Sequence, residues 1–138
     1  MSEAKATADG SISELGLTDD SIVQEFGYDD DVDFDLRERI EELTGEDILD
    51  EDDQEVVDAV LLWWRDGDGD LVDALVDTQS QLDDGGVVWL FTPKSGRDGY
   101  VNPGDVEAAA STSGLHRTTT AGVSNDWSAV RLAPKRNF

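Results

Sequence analysis

The chain has no cysteine, one histidine, three prolines and only three lysines among its 138 residues. Without cysteine there are no disulfides, no thiol catalysis and no cysteine-ligated metal. The lone histidine, His116, has no serine or cysteine partner motif and no second metal ligand in the pattern around it, and reads as structural or exposed. No apolar run approaches the roughly 18 residues of a membrane span, and the first residues show no apolar signal region, so the expectation is a cytoplasmic protein. Positive charge is scarce: 10 Lys and Arg stand against 33 Asp and Glu, a formal charge of −23. Such a surface repels phosphate backbones and anionic bilayers, which argues against nucleic-acid and membrane partners.

The charge is unevenly spread. Residues 1–93 hold 29 of the 33 acids and 4 of the 10 bases, a formal −25, and residues 94–138 hold 4 acids and 6 bases, a formal +2. A hydrophobic fraction of 38% is enough for one real core at this length. Residues 1–12 are small, polar and aperiodic and read as a disordered leader; residues 13–138 read as one α/β domain.

The organising stretch is residues 56–92. Val56 to Trp64 is a near-continuous apolar run, an Asp/Gly turn follows from Asp66 to Asp70, and Leu71 to Leu82 carries helical spacing. Gly85-Gly86 breaks the chain before a second apolar run, Val87 to Phe91. Two buried strands around a crossover helix make a βαβ unit, and a parallel sheet needs helices on both faces. The strands 56–64 and 87–92 are predicted as central neighbours in a mostly parallel sheet. Trp63 and Trp64 are expected to point to opposite faces, both mostly buried.

Ser21 to Phe26 reads as a first strand, stopped by Gly27. Four carboxylates in five residues, Asp29 to Asp33, invite a divalent-cation reading. Helix initiation explains them better: Asp caps free N–H groups, and Val32, Leu36, Ile40 and Leu43 follow at helical spacing before Thr44-Gly45. Asp66, Asp68 and Asp70 resemble the start of a calcium loop, but Leu71 stands where the sharp turn needs glycine. Capping of the following helix is again the better account, and no metal site is expected. Asp58, alone among the apolar residues of its strand, faces solvent, caps a neighbouring helix or orients a ligand. Ile48-Leu49, amid the acids from Glu46 to Glu55, is compatible with a short strand or a turn.

Beyond the second central strand the sign of the charge changes, in Lys94-Ser95-Gly96-Arg97-Asp98-Gly99-Tyr100. Loops at strand carboxyl ends are where α/β folds bind ligands, so Lys94, Ser95, Gly96, Arg97 and Tyr100 are the candidate ligand-binding residues. Asn102-Pro103-Gly104-Asp105 opens a helix with a cap, a proline at the first position and an acid in the first turn. The β-branched run 116–121 and the alternating run 126–132 read as a terminal antiparallel pair, so that 116–133 is predicted to add an antiparallel edge to the sheet.

Four blocks carry a resemblance: residues 24–33, residues 70–77, Trp89 to Val101 and Asp126 to Leu132. Together they resemble the actinobacterial domain-of-unknown-function family numbered 3052, over about residues 13–136 and in order. That family implies membership and no activity. A looser resemblance is to the C-terminal half of class I S-adenosylmethionine-dependent methyltransferases, in the succession of strand, helix, Gly-Gly turn, strand, helix and hairpin. It implies a Rossmann-like fold. Where such enzymes carry a glycine-rich cofactor turn, this chain reads Phe26-Gly27-Tyr28-Asp29-Asp30-Asp31, one glycine beside a wall of carboxylates. No cofactor is therefore expected.

The leading functional expectation is a non-catalytic regulatory or adaptor protein docking a basic protein partner. The alternative is a small-molecule or nucleotide binder, or a weak enzyme, working through the loop 93–100. A third account treats the acidity as solubility or salt adaptation alone.

Overall fold

The computed structural model describes Ile12 and residues 14–134. The expected leader thus lies outside the described residues except for Ile12, which is buried. The elements run β1 (Val23–Phe26), α1 (Phe34–Thr44), β2 (Val57–Trp63), α2 (Leu71–Thr78), β3 (Leu82–Pro93), α3 (Pro103–Thr112), β4 (Leu115–Ala121) and β5 (Trp127–Pro134). They form an α/β domain with one five-stranded sheet of order β1-β2-β3-β5-β4.

The sheet is mixed, which bears out in part the expectation of a mostly parallel sheet with an antiparallel pair added at its edge. The pairs β1–β2 and β2–β3 are parallel, whereas β3–β5 and β4–β5 are antiparallel. The physical reason is the connection between β4 and β5: a short turn reverses the chain, and β5 inserts beside β3 and leaves β4 at the edge. Central placement of β2 and β3 stands as predicted. Their near-continuous apolar sequences are buried on both faces.

Alternation splits the core in two. Ala59, Leu61, Trp63, Trp89 and Phe91 face α1 (Leu36, Ile40), and Val60, Leu62, Val88 and Leu90 face α2 and α3 (Leu75, Val106, Ala110). Trp63 and Trp64 do take opposite sides, but Trp64 lies past the strand end and is only half-buried, against the α2 side. Trp63 anchors the other side, stacked on Phe91 at 4.5 Å and edge-on to Trp127 at 5.0 Å.

Each helix starts at the cap its sequence provides. The Asp33 carboxylate accepts from Leu36 N–H, Asp70 from Val72 and Asp73, and Asn102 from Gly104. Gly45 closes α1 at φ 77°. Helix α2 is shorter than its spacing suggests. The Thr78 hydroxyl donates to the Leu75 carbonyl at 2.7 Å and Gln79 Nε2 adds a second bond there, competing with the helical ladder. Leu82, predicted as the last helical residue, instead begins β3.

The chain from α1 to β2 passes outside β1. There Leu49 makes a parallel bridge to Gln24, so the Ile48-Leu49 pair is a one-residue remnant of a strand. Leu49 N–H donates to Val23 and its carbonyl accepts from Glu25, both at 2.8 Å, and so the exposed edge of β1 is covered by an acidic segment.

Candidate functional site

The carboxyl ends of β1 and β2 meet in a close approach. A Cβ at Gly27, where φ is 78°, would lie 2.2 Å from the Trp63 carbonyl oxygen, so only glycine fits. Two residues beyond Trp63, the Arg65 side chain turns back over this junction. Its Nη1 donates to the carbonyls of Gly27 at 2.8 Å and Trp63 at 3.1 Å, capping both strand ends. Nε and Nη2 grip Asp31 bidentately, and Asp68 accepts from the Arg65 backbone N–H at 3.0 Å. The Trp127 ring lies 5.3 Å from the guanidinium. Burial acts to lower the Arg65 pKa, and the bonds and charges of Asp31 and Asp68 outweigh it, so the net shift is upward. The same contact holds Asp31 below the usual carboxylate value. The chain's own arginine thus caps the strand ends at the place where an open α/β sheet binds ligands.

A second cluster lies beneath it. Glu25 is in phase with Val23 on β1, so it faces the α1 side and is only 4% exposed. Arg37 of α1 reaches it through Nε at 2.7 Å and Nη2 at 2.9 Å, and Trp63 Nε1 donates to the same carboxylate at 2.8 Å. The bond to Glu25 is the main reason the Arg37 pKa is raised. The Arg37 guanidinium also stands 4.9 Å from the Tyr28 ring, which meets Phe34 edge-on at 5.9 Å. Tyr28 and Phe34 are 51% and 49% exposed, an aromatic pair on the surface.

Neither arginine cluster is among the candidate residues that sequence reasoning selects. Glu25 carries one usable signal: it is an acid at an inward position of an alternating strand. Arg65 carries another, as the single base among the acids that follow β2. The partners of both are distant in sequence, and no spacing rule pairs them.

Lys94, Ser95, Gly96, Arg97 and Tyr100 form an exposed turn beside the Arg65 cluster. Lys94 N–H and Arg97 Nη1 both donate to the Asp126 carbonyl at 3.0 Å. Tyr100 N–H donates to Arg97, and the Gly99 carbonyl accepts from Asp66 at 2.8 Å. Gly99 is pressed on Arg65: a Cβ there would sit 3.0 Å from the Arg65 Cβ. Structure therefore brings the Lys94 backbone N–H and the Arg97 guanidinium to one carbonyl, with Ser95 and Tyr100 exposed on the same turn.

Other acids have local roles. Asp58 is exposed, as its solvent-facing reading has it, and accepts at 2.8 Å from the N–H of Ile22, which precedes a strand and not a helix. Among the described residues no three His, Asp or Glu gather in a metal-binding arrangement. His116 is exposed on β4. A cavity of about 330 Å³ opens beside Gly27 and Trp64, on the α2 side, with Tyr28, Asp29, Glu51 and Asp77 in its wall. A larger one, about 580 Å³, opens at the opposite end of the sheet between Asp58, Gly86 and the segment 14–21. We give the smaller more weight, because strand carboxyl ends are where this architecture places ligands.

A family model for a protein of unknown function, DUF3052, matches residues 12–136. The chain belongs to the DUF3052 family. It is 50% identical over 123 residues to uncharacterised proteins of Mycobacterium tuberculosis and Mycobacterium bovis, covering 89% of this chain and 77% of each relative. Among solved structures it is similar to the pyocyanin biosynthetic protein PhzM (TM-score 0.68, 12% identity, 97% of this chain and 56% of that one). It is also similar to precorrin-6y C5,15-methyltransferase of Geobacter metallireducens (TM-score 0.59, 10% identity, 94% and 87%). A third is the magnesium protoporphyrin IX methyltransferase of Synechocystis with bound S-adenosylmethionine (TM-score 0.56, 12% identity, 96% and 80%). At these identities the likeness is one of fold, and it agrees with the methyltransferase-like arrangement read from the sequence.

At the crevice, the close backbone approach that glycine permits at position 27 is taken by the Trp63 carbonyl, and Arg65 donates across the two strand ends beside an open cavity.

Proposed function

We propose that this DUF3052 protein is a non-catalytic regulatory or adaptor module of the cytoplasm that docks a basic protein partner. The observation that carries this reading is Arg65, whose guanidinium bonds the two strand-end carbonyls and Asp31 where this fold class would otherwise hold a ligand. With the strand ends capped from within, recognition draws on the acidic surface around them. That surface is acidic along α1 (Asp35, Glu38, Glu42) and along the exposed acids of 46–55 beside β1. Charge of one sign steers an oppositely charged partner and rejects nucleic acid and anionic membranes.

The test is capture from lysate at low and high salt, beside a thermal-shift screen of nucleotides and S-adenosylmethionine. A protein partner lost at high salt, with no shift from any small molecule, supports docking. A shift of several degrees with one ligand class refutes it in favour of a second reading, a small-molecule binder. One arrangement favours that second reading: Lys94 and Arg97 meet at the Asp126 carbonyl. With Ser95, the Gly96 N–H and Tyr100 they would make an anion subsite.

A further inference from the structure

We propose that the cavity at the carboxyl ends of β1 and β2 receives one arginine side chain of the basic partner. This rests on the docking reading above and adds to it the place and the chemistry of the anchor. At about 330 Å³ the cavity is at the small end of the range for organic ligands. Its wall carries four carboxylates, Asp29, Glu51, Asp68 and Asp77, and one guanidinium, Arg65. Arg65 is committed to Asp31 and Asp68. Among the described residues no cation pairs with Asp29, Glu51 or Asp77. Glu51 accepts only a long bond from the Gly27 N–H, 3.3 Å, and Asp29 accepts from its neighbour Asp30. The cavity thus has excess negative charge together with the aromatic residues Tyr28 and Trp64.

A carboxylate beside an aromatic ring is a setting suited to guanidinium. Its plane is weakly hydrated, stacks on rings and bonds carboxylates through two nitrogens, whereas an ammonium keeps its water. The chain itself uses this setting twice near the cavity, whose wall includes Tyr28 and Arg65. Arg37 joins Glu25 and stands over Tyr28, and Arg65 joins Asp31 and stands over Trp127. The cavity repeats the same kinds of partner, and the one arginine in its wall, Arg65, is already committed to Asp31 and Asp68. Exposed Tyr28 and Phe34 adjoin it and offer apolar contact to the residues flanking an incoming arginine.

Two probes test this in nuclear magnetic resonance titrations of the full chain. One is N-acetyl-arginine amide, with the citrulline amide as a neutral isostere and the lysine amide as a compact cation. The other is a nona-arginine peptide, which reports docking as a whole. The expected result is that the arginine amide moves the Trp64 indole and the Asp77 amide, the citrulline amide does not, and the lysine amide does so less. In a Tyr28→Ala, Asp77→Asn double variant those shifts should vanish, and the peptide should bind about tenfold more weakly. Both changed side chains are exposed, and the variant's thermal transition checks that it folds like the parent. If the peptide binds in a salt-dependent way but leaves Trp64 unmoved and is indifferent to the double variant, the cavity inference is wrong and docking survives. Equal shifts from citrulline or lysine would overturn the assignment to guanidinium. Should neither probe bind at low salt, the docking reading itself fails.

Discussion

Arg37 and Arg65 do similar chemistry in two settings. Each holds a carboxylate through two nitrogens, and each stands about 5 Å from an aromatic ring. They differ in the carboxylate: the Glu25 side chain is 4% exposed and the Asp31 side chain 48%. The difference teaches which pair the fold depends on. If Arg37 is removed, Glu25 keeps its charge in the core with a tryptophan N–H as its remaining partner. If Arg65 is removed, water can reach Asp31, and what is lost is the cap on two strand-end carbonyls. One pair holds β1 to α1; the other finishes the sheet's carboxyl edge.

The largest effect should therefore come from Arg37→Ala. Stripping the partner from a buried carboxylate costs about 3–5 kcal/mol, and urea denaturation of the variant should show a loss of that order. Replacing both members by apolar residues, Arg37→Met with Glu25→Leu, should return most of it, because the buried charge goes too. A loss under about 1 kcal/mol for the single variant would erase the contrast between the two clusters.

Arg65→Ala should come next, at about 1–3 kcal/mol, the cost of leaving partly buried acceptors unsatisfied. The Arg65 side chain is 14% exposed, and its acceptors are backbone carbonyls that no small rearrangement can turn toward solvent. Arg65→Lys should recover little of the loss, since one ammonium cannot span two carbonyls and grip Asp31 bidentately. A fully stable Arg65→Ala variant would show that water replaces the guanidinium, and the crevice would then be open to a ligand.

How far the sequence reveals this architecture depends on range. Strands β2 and β3 are legible because their apolar runs are long, and the caps Asp33, Asp70 and Asn102 because capping is local chemistry. The antiparallel pair at the sheet's edge is legible, but its order is not: nothing in the run 126–132 states that it inserts beside β3 while 115–121 takes the edge. The length of α2 is set by Thr78 and Gln79, whose side chains bond back to Leu75, a local event hidden behind helical spacing that continues to Leu82. The candidate loop is read correctly as a turn after a central strand, and the neighbours that give it meaning, Asp126 and Arg65, are 29 and 32 residues away from Arg97. Arg65, which caps the strand ends, looks in sequence like the end of an apolar run.

The exposed half of the comparison has a pH signature. Arg65, chiefly through its hydrogen bonds, holds the Asp31 pKa below 3.8 in the folded chain. A depressed carboxylate stabilises the fold above its unfolded pKa, and that stabilisation disappears as pH falls through the folded value. Asp31→Asn should thus cost no more than about 1 kcal/mol at pH 7, as expected for a half-exposed pair. The gap between variant and parent should close as pH drops below 3.8. A gap that stayed constant to pH 2 would mean that the carboxylate's charge contributes nothing and that its shape does.

Arg97 extends the comparison to an arginine that is exposed and grips no carboxylate. Its Nη1 donates to the Asp126 carbonyl, and its charge adds only the last and smallest of the influences on Asp31. Lys94 uses its backbone N–H on the same carbonyl, so replacing its side chain leaves that bond intact. The Lys94→Ala, Arg97→Ala double variant should therefore melt within a degree or two of the parent, consistent with about 0–1 kcal/mol for exposed charge contacts. If these bases form an anion subsite, the variant should lose ligand or partner binding with its stability intact. If their positive charge only offsets the acids around them, the double variant should bind every tested nucleotide and captured protein as the parent does, and the subsite would have to be abandoned. The gradient from Glu25–Arg37 through Asp31–Arg65 to Arg97 then gives a rule for this chain. Deep arginines should register in stability and the exposed one in binding, and a double variant that melted many degrees lower would break it.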